Sequence, residues 1–431
     1  MTGKKSAPAK PKSTNSSSSR TPSSRNPKSN LRQNATKTSE NPVSGEELRG
    51  QQAILDIFSN TFREVLEKED FSLQLQKLKT ALFNRDFEGA FAHEAALDVY
   101  AARWSPTRAL CYGKVLRGLN SHLESLMSDV AARQGGDEYK TGHAPTRGNQ
   151  DESTIENETR NAESEASVAQ QKNNEGEKIQ YLKVLAIGGA AAEIVAFADY
   201  ISSANANANA KSIRGEITLL DIGPWGTIVE RLQAALTTTP PISRYVSAAA
   251  KEVNKALVPA SSLSSTFLQK DILFLSQGDL TKLISNPDHS PVLISLLFTL
   301  NELYTTGGIK RTTSFLRLLS AIVPPGTLLL VVDSPGSYSE TTVGKEAKRY
   351  PMQWLLDHTL LPPPSRPRQK PGGDQGREED RREQKPNNDS VKWESIESHD
   401  SIWFRVVEGL RYPIPLENMR YQMHLYRASV D

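Results

Sequence analysis

The chain has 431 residues, with 52 Lys and Arg against 50 Asp and Glu for a net charge of +2, and 37% of it is hydrophobic. That length accommodates two or three structural units and a full-sized core, while a mean hydropathy of −0.51 is low for a wholly globular chain and assigns part of the length to disorder. A single cysteine, Cys111, excludes an internal disulfide framework and a cysteine-built zinc site and points to a reducing compartment, and the longest apolar run, 291–300, is too short and too interrupted to span a bilayer.

The near-neutral total hides an asymmetry. Residues 1–43 carry nine Lys and Arg, from Lys4 to Lys37, against the lone acid Glu40, in a background of Ser, Thr, Asn and Pro. Such a segment buries no apolar surface and reads as a disordered basic tail. Either it offers mobile positive charge to phosphate or to an import receptor, or it is simply solvated. No apolar core follows the basic start, so it is not a secretory signal. Its composition passes for a transit peptide, but without an amphipathic apolar face.

Residues 44–132 read as a helical module. Ser44 followed by Glu46 and Glu47 makes an acidic helix start, and apolar residues at helical spacing define one stretch from Leu48 to Leu66, a second from Phe71 to Phe83 and a third from Phe87 to Tyr100. Ser105 and Pro106 suit the cap and first turn of a fourth helix through Leu126. Arg103, Arg108, Lys114 and Arg117, interleaved with Trp104 and Tyr112, place cations and rings where a phosphate backbone and a base could be held, although simple burial of Trp104 at a helix corner accounts for it better. Residues 133–178 hold hardly an apolar residue and read as a flexible linker.

From 179 onward the periodicity changes to an alternation of strands and helices. Leu182, Val184, Leu185 and Ile187 make a short apolar run, Gly188, Gly189, Ala190, Ala191 and Ala192 a turn with no side chain larger than a methyl, and Glu193 to Ala198 a helix. A strand, a small-residue turn and a helix N-terminus compose a nucleotide-binding corner, although small residues also serve a helix packed tightly on a strand. The second strand, Ile217–Asp221, ends in a carboxylate suited to accept from the two hydroxyls of a ribose, with Ile222 and Trp225 just beyond. A third strand is expected at Asp271–Leu275, with Gln277, Gly278 and Asp279 as its exit loop beside an adenine or as an ordinary Gly-Asp turn. The fourth, Val292–Phe298, leads to Thr299, Asn301, Glu302 and Tyr304, and the fifth ends at Asp333. Residues 365–390 are charged and Pro-rich and read as a second disordered insertion. Ser401–Val406 and Tyr421–Tyr426 supply a final antiparallel pair. Five alternating units followed by such a pair predict an α/β fold with the seven-stranded, Rossmann-like class I methyltransferase sheet over 179–431.

The stretches RWSPTRALCY (103–112), LAIGGAAAEIVAFA (185–198), FTLNELYTT (298–306), GTLLLVVDSPGSYSE (326–340) and the WFR and YPIPLENMRYQMHLYR segments near the C-terminus resemble the fungal family of S-adenosylmethionine-dependent methyltransferases that includes the large-subunit rRNA uridine-N3-methyltransferase. The resemblance implies an enzyme of ribosome biogenesis, located in the nucleus or nucleolus, acting on large-subunit rRNA or a pre-ribosomal particle. No metal and no membrane are expected. It places the cofactor S-adenosylmethionine against Gly188, Gly189 and Ala190, the ribose on Asp221 with Ile222, the adenine near Gly278 and Asp279, and the methyl-transfer site beside Thr299 and Asn301. The pattern departs from the usual one: the acid expected two residues before the first glycine is Ala186, and Ala190 and Ala192 stand where glycines are common, which leaves binding through other groups such as Glu193. Glu302, Asp333 and Asn301 are candidates to orient the base and accept its proton, with Tyr304, Trp225 or Tyr338 to stack on it. Three other readings remain at this point: an RNA-binding assembly factor that no longer transfers methyl groups, a nicotinamide-dependent oxidoreductase, and a methyltransferase acting on protein. The terminal strand pair and the lack of a GxGxxG pattern argue against the second.

Overall fold

Ser44 opens the first helix, its hydroxyl accepting the Glu47 N–H at 3.0 Å, and α1 runs over Gly45–Thr61. The computed structural model describes residues 44–129, 179–206, 211–362 and 391–429, apart from positions 85, 92, 243, 287, 337, 344 and 345. The expected basic tail, the linker and the Pro-rich insertion lie outside the described residues.

After α2 (Phe71–Phe83) the chain makes a short helix at Phe87–Phe91 and then the long α3, Glu94–Gly118. The expected break at Ser105 does not occur, because Pro106 lies inside α3. Proline has no N–H to give the carbonyl four residues back, which is that of Ala102. Tyr412 repairs the defect: its hydroxyl donates to the Ala102 carbonyl at 2.7 Å. Tyr412→Phe is therefore expected to leave that carbonyl unsatisfied at a cost of about 1–3 kcal/mol, read as a lower urea midpoint. The loss should shrink in a Pro106→Ala background, where the substituted position regains a backbone N–H to donate; an equal loss in both backgrounds would refute this account.

Helix α3 is buried on several sides. α1 and α2 pack on it from one direction and α4 (Ala191–Asn205) from another. Arg117 pairs with Asp199 across the α3–α4 contact, and Gly113 admits that carboxylate, since a Cβ there would collide with it.

The strands are β1 (Ser128–Asp129), β2 (Ile179–Ile187), β3 (Ser212–Asp221), β4 (Leu263–Gln269), β5 (Leu293–Leu297), β6 (Leu328–Asp333), the hairpin β7–β8 (Tyr338–Val343 and Glu346–Pro351), β9 (Lys392–Phe404) and β10 (Met419–Ser429). Seven of them form one sheet in the order β4-β3-β2-β5-β6-β10-β9, with β1 added antiparallel to the start of β2. Strands β2 to β6 are parallel, and β10 inserts antiparallel between β6 and β9. This is the seven-stranded, Rossmann-like order that the alternation predicts. Helices α3, α4 and α5 (Gly226–Thr237) cover one face; α6 (Gln277–Ile284), α7 (Gly308–Ile322) and α8 (Met352–Leu360) cover the other. Residues of β2, β5 and β6 are buried on both faces, hence their nearly continuous apolar runs, interrupted by Lys183 in β2 and Ser295 in β5.

The third strand is a correction. Strand β4 is Leu263–Gln269, an edge strand with Ser264 and Thr266 exposed or half-exposed, so its alternation is weak in the sequence. The apolar run 271–275 forms instead a 3-10 turn at Ile272–Phe274, with the Asp271 carboxylate accepting the Leu273 N–H at 2.8 Å. Gln277, Gly278 and Asp279 are not an exit loop but the first turn of α6, where Ser276 and Asp279 cap one another. Among the described residues no helix is long and apolar enough to cross a membrane.

Candidate functional site

The parallel strands end on one side of the sheet, and the chain leaves β2 there through Gly188, whose φ of +68° suits glycine and few other residues. Its N–H donates to the Leu220 carbonyl at 2.7 Å, and a Cβ at this position would collide with the Thr299 side chain. The corner thus draws the exit of β5 against the turn after β2. The Ala190 N–H donates to the Glu193 carboxylate at 2.8 Å, which sets an acid of the first turn of α4 at this corner.

Around this corner lies a cavity of about 220 Å³. Gly188, Ala190 and Glu193 line it from the β2–α4 turn, Asp221, Ile222 and Trp225 from the tip of β3, and Phe298, Thr299 and Glu302 from the exit of β5. The 3-10 turn at 272–274 forms another wall, and Phe91, Tyr100 and Arg108 of the helical segment close the roof. The roof is an aromatic cluster: the Tyr100 ring lies 5.2 Å from Phe91, 5.0 Å from Trp104 and 5.8 Å from Trp225, centroid to centroid. Arg108 donates to the Tyr100 hydroxyl and sets its guanidinium 5.1 Å from the Phe298 ring centroid.

Four carboxylates line the cavity, Glu193, Asp221, Asp271 and Glu302, together with the cations Arg108, Lys270 and Arg311. Burial pushes Glu193 up to about 7, against the opposing Ala190 N–H and Arg108 charge. Burial, opposed by the Gly223 N–H and Trp225, raises Asp221 to about 6. Burial and the Asp221 charge raise Glu302 to about 7. Burial works against the Arg108 charge, but Tyr100, Tyr112 and Glu193 outweigh it and its net direction is up. A lining of both signs, rich in carboxylate acceptors, suits a ligand that carries charge and several hydroxyl donors.

Of the residues proposed for a cofactor, Gly188, Ala190, Glu193, Asp221, Ile222 and Thr299 line the cavity, and Gly189 does not. Gly278 and Asp279 lie away from it on α6, with Asp279 exposed and held below its usual range by its bond from Ser276. Of the proton-acceptor candidates only Glu302 faces the cavity. Asp333 is 2% exposed and spends its oxygens on the Asn301 N–H at 3.0 Å and the Ser334 N–H at 2.7 Å, while the Asn301 side-chain oxygen is buried without a partner. Tyr304 is 1% exposed in the core under α7, out of reach of a base. Lys114 is exposed on α3 and lines neither this cavity nor the recess beside it. Arg103 is buried and pairs with Glu417. The sequence reading missed Phe91, Tyr100 and Phe298; Phe298 directly precedes the Thr299 motif.

That second recess, of about 160 Å³, is lined by Arg103, Trp104, Thr107, Arg108, Phe298 and residues 417–420. Arg108 and Phe298 line both cavities.

A curated relative, the 25S rRNA (uridine(2843)-N(3))-methyltransferase of Saccharomyces cerevisiae, is 29% identical over 417 residues, covering 92% of this chain and 90% of that protein. Among solved structures, the CcbJ methyltransferase of Streptomyces caelestis aligns at 9% identity over 57% of this chain and 89% of that one with a TM-score of 0.24. An O-methyltransferase family 2 protein of Planctomyces limnophilus aligns at 12% identity over 56% and 52% with a TM-score of 0.21. Scores this low add nothing to the strand order, which carries the fold assignment. The family model described as "Putative SAM-dependent methyltransferase" matches residues 58–427, and the chain belongs to that family of S-adenosylmethionine-dependent methyltransferases.

Proposed function

We propose that the protein transfers a methyl group from S-adenosylmethionine to N3 of a uridine in large-subunit rRNA, within ribosome biogenesis in the nucleus or nucleolus. The observation that carries this reading is the similarity to a uridine-N3-methyltransferase along 92% of the chain. The cavity supports it. Glycine at 188 lets Thr299 close against the turn that lines the cavity, and of the charged groups there the carboxylates Glu193, Asp221 and Glu302 are the ones suited to a sulfonium. Asp221 accepts from the Gly223 N–H at 2.7 Å and is also met by Trp225 and the Ile222 N–H, so a ribose diol would share the remaining lone pairs of this carboxylate with them. The aromatic roof and Trp225 give the same space an apolar wall.

The bound cofactor supplies an already activated methyl group. The chain's own residues hold the geometry and manage one proton, since uracil N3 carries a hydrogen that must leave before its lone pair can attack. Glu302 takes it in this reading, which is supported by its position in the cavity lining and by burial that raises its carboxyl to about 7. Asp333 acts one step removed: by holding the Asn301 N–H it fixes the turn from which Glu302 projects. A paired uridine hides its N3, so the target is unpaired or turned out of its helix.

The test is to map modified nucleosides in large-subunit rRNA from cells lacking the protein. Loss of one N3-methyluridine, restored by the wild-type chain, is expected. Full methylation at every uridine site in the deletion would remove this substrate from consideration.

A further inference from the structure

Resting on that reading, we propose that the acceptor uridine enters through the recess beside Arg108 and Phe298, and that the RNA next to it is carried by Trp403 with Arg405 and Arg420 beside it. The recess shares Arg108 and Phe298 with the cofactor cavity, so a base lodged there borders the cofactor's space. Phe298 adopts a φ of 60°, a conformation that bulky residues avoid, and does so at the carboxyl end of β5, where α/β sheets bind ligands. Backbone strain of this kind persists where surrounding structure enforces it, and it clusters at functional sites.

Strand β10 brings the second half of the track to the same edge. It runs antiparallel to β6 with Gln422 opposite Asp333, the last residue of β6, so residues 417–420 overhang the carboxyl ends of the parallel strands. Arg420 lines the recess and lies opposite Trp403 in the β9–β10 register. The guanidinium groups of Arg420 and Arg405 each stand 5.7 Å from the Trp403 ring centroid. Arg420 is held in plane by its Nε donating to Ser401 Oγ at 2.7 Å. Yet Trp403 remains 54% exposed. A half-exposed indole with two guanidinium groups beside it offers single-stranded RNA a ring for a base to stack on and positive charge for the phosphates next to it. At the recess rim, Asn418 accepts the Val406 N–H at 2.8 Å through Oδ1, leaving its amino group to donate to a carbonyl such as uracil O2 or O4.

The experiment measures methyl transfer from labelled S-adenosylmethionine to large-subunit rRNA taken from cells lacking the protein, using the full chain, Trp403→Ala, Arg420→Ala and Arg420→Lys. Both alanine variants alter exposed side chains and should melt like the wild type. The KM for rRNA should rise roughly ten- to a hundredfold, with kcat and the calorimetric affinity for S-adenosylmethionine kept within a few-fold. Arg420→Lys, which keeps the charge but loses the planar stack, should fall between. An unchanged KM in both alanine variants would overturn the proposal, as would methyl incorporation into protein instead of RNA at wild-type rates in those variants. If the wild type transferred no methyl to RNA, the substrate reading would fail on its own. Fluorescence anisotropy with a labelled oligouridylate would then still decide the surface: weaker binding by the alanine variants supports it, and equal binding overturns it.

Discussion

Asp221→Ala should raise the dissociation constant for S-adenosylmethionine roughly a hundredfold while the fold persists. The carboxylate closes β3, lines the cavity and is raised to about 6, so it is ionised at physiological pH despite burial. Hydrogen bonds to a charged group contribute about 1.5–3 kcal/mol each, and water entering the vacated space recovers part of what two such bonds supply. Asp221→Asn retains one acceptor oxygen and should fall between the two. Affinity of the wild type should also decline as the pH drops through about 6, because the protonated carboxyl has lost acceptor capacity. Titration calorimetry, with circular dichroism as the check on folding, reads all three. Unchanged affinity in the alanine variant would remove the ribose assignment.

Asp221 and Asp333 show how far the sequence could be read. Each ends an apolar strand of the same parallel sheet, and locally the two patterns are alike. Only the tertiary structure separates them: Asp221 opens on the cavity, whereas Asp333 turns to the backbone N–H groups of Asn301 and Ser334. The central strands were legible because burial on both faces demands nearly continuous apolar runs. Strand β4 was not, since an edge position permits Ser264 and Ser265, and the apolar residues at 272–275 imitated the strand that was missing. The Ser105-Pro106 pair carried a sound local signal for a helix start. It was overridden by Tyr412, 310 residues from the carbonyl it satisfies. The cavity roof was hidden for the same reason, because the side chains of Tyr100 and Arg108 meet the sheet only through packing of α3 on α4.

Glu302→Gln should lower kcat for methyl transfer by about 10²–10⁴-fold, the range for removal of a positioned proton acceptor. The acceptor form of Glu302 is the ionised one, so the wild-type rate should rise with pH through about 7 and level off above it. A bound sulfonium favours the ionised carboxylate, which places this limb in kcat at or below its position in the free protein. In the glutamine variant the limb should vanish. Stability should move the other way. Glu193 and Glu302 both titrate near 7 in the folded chain against an ordinary value of 4.5, so the folded state holds protons that the unfolded state has released. The free protein therefore loses stability as pH rises from about 4.5 through 7. Glutamine at 302 removes one buried charge above that window. Near pH 8 the variant should melt higher than the wild type while being almost inactive. A Glu302 that merely braces the turn after β5 predicts activity and melting temperature falling together, and that result would return the proton acceptor to the list of unknowns.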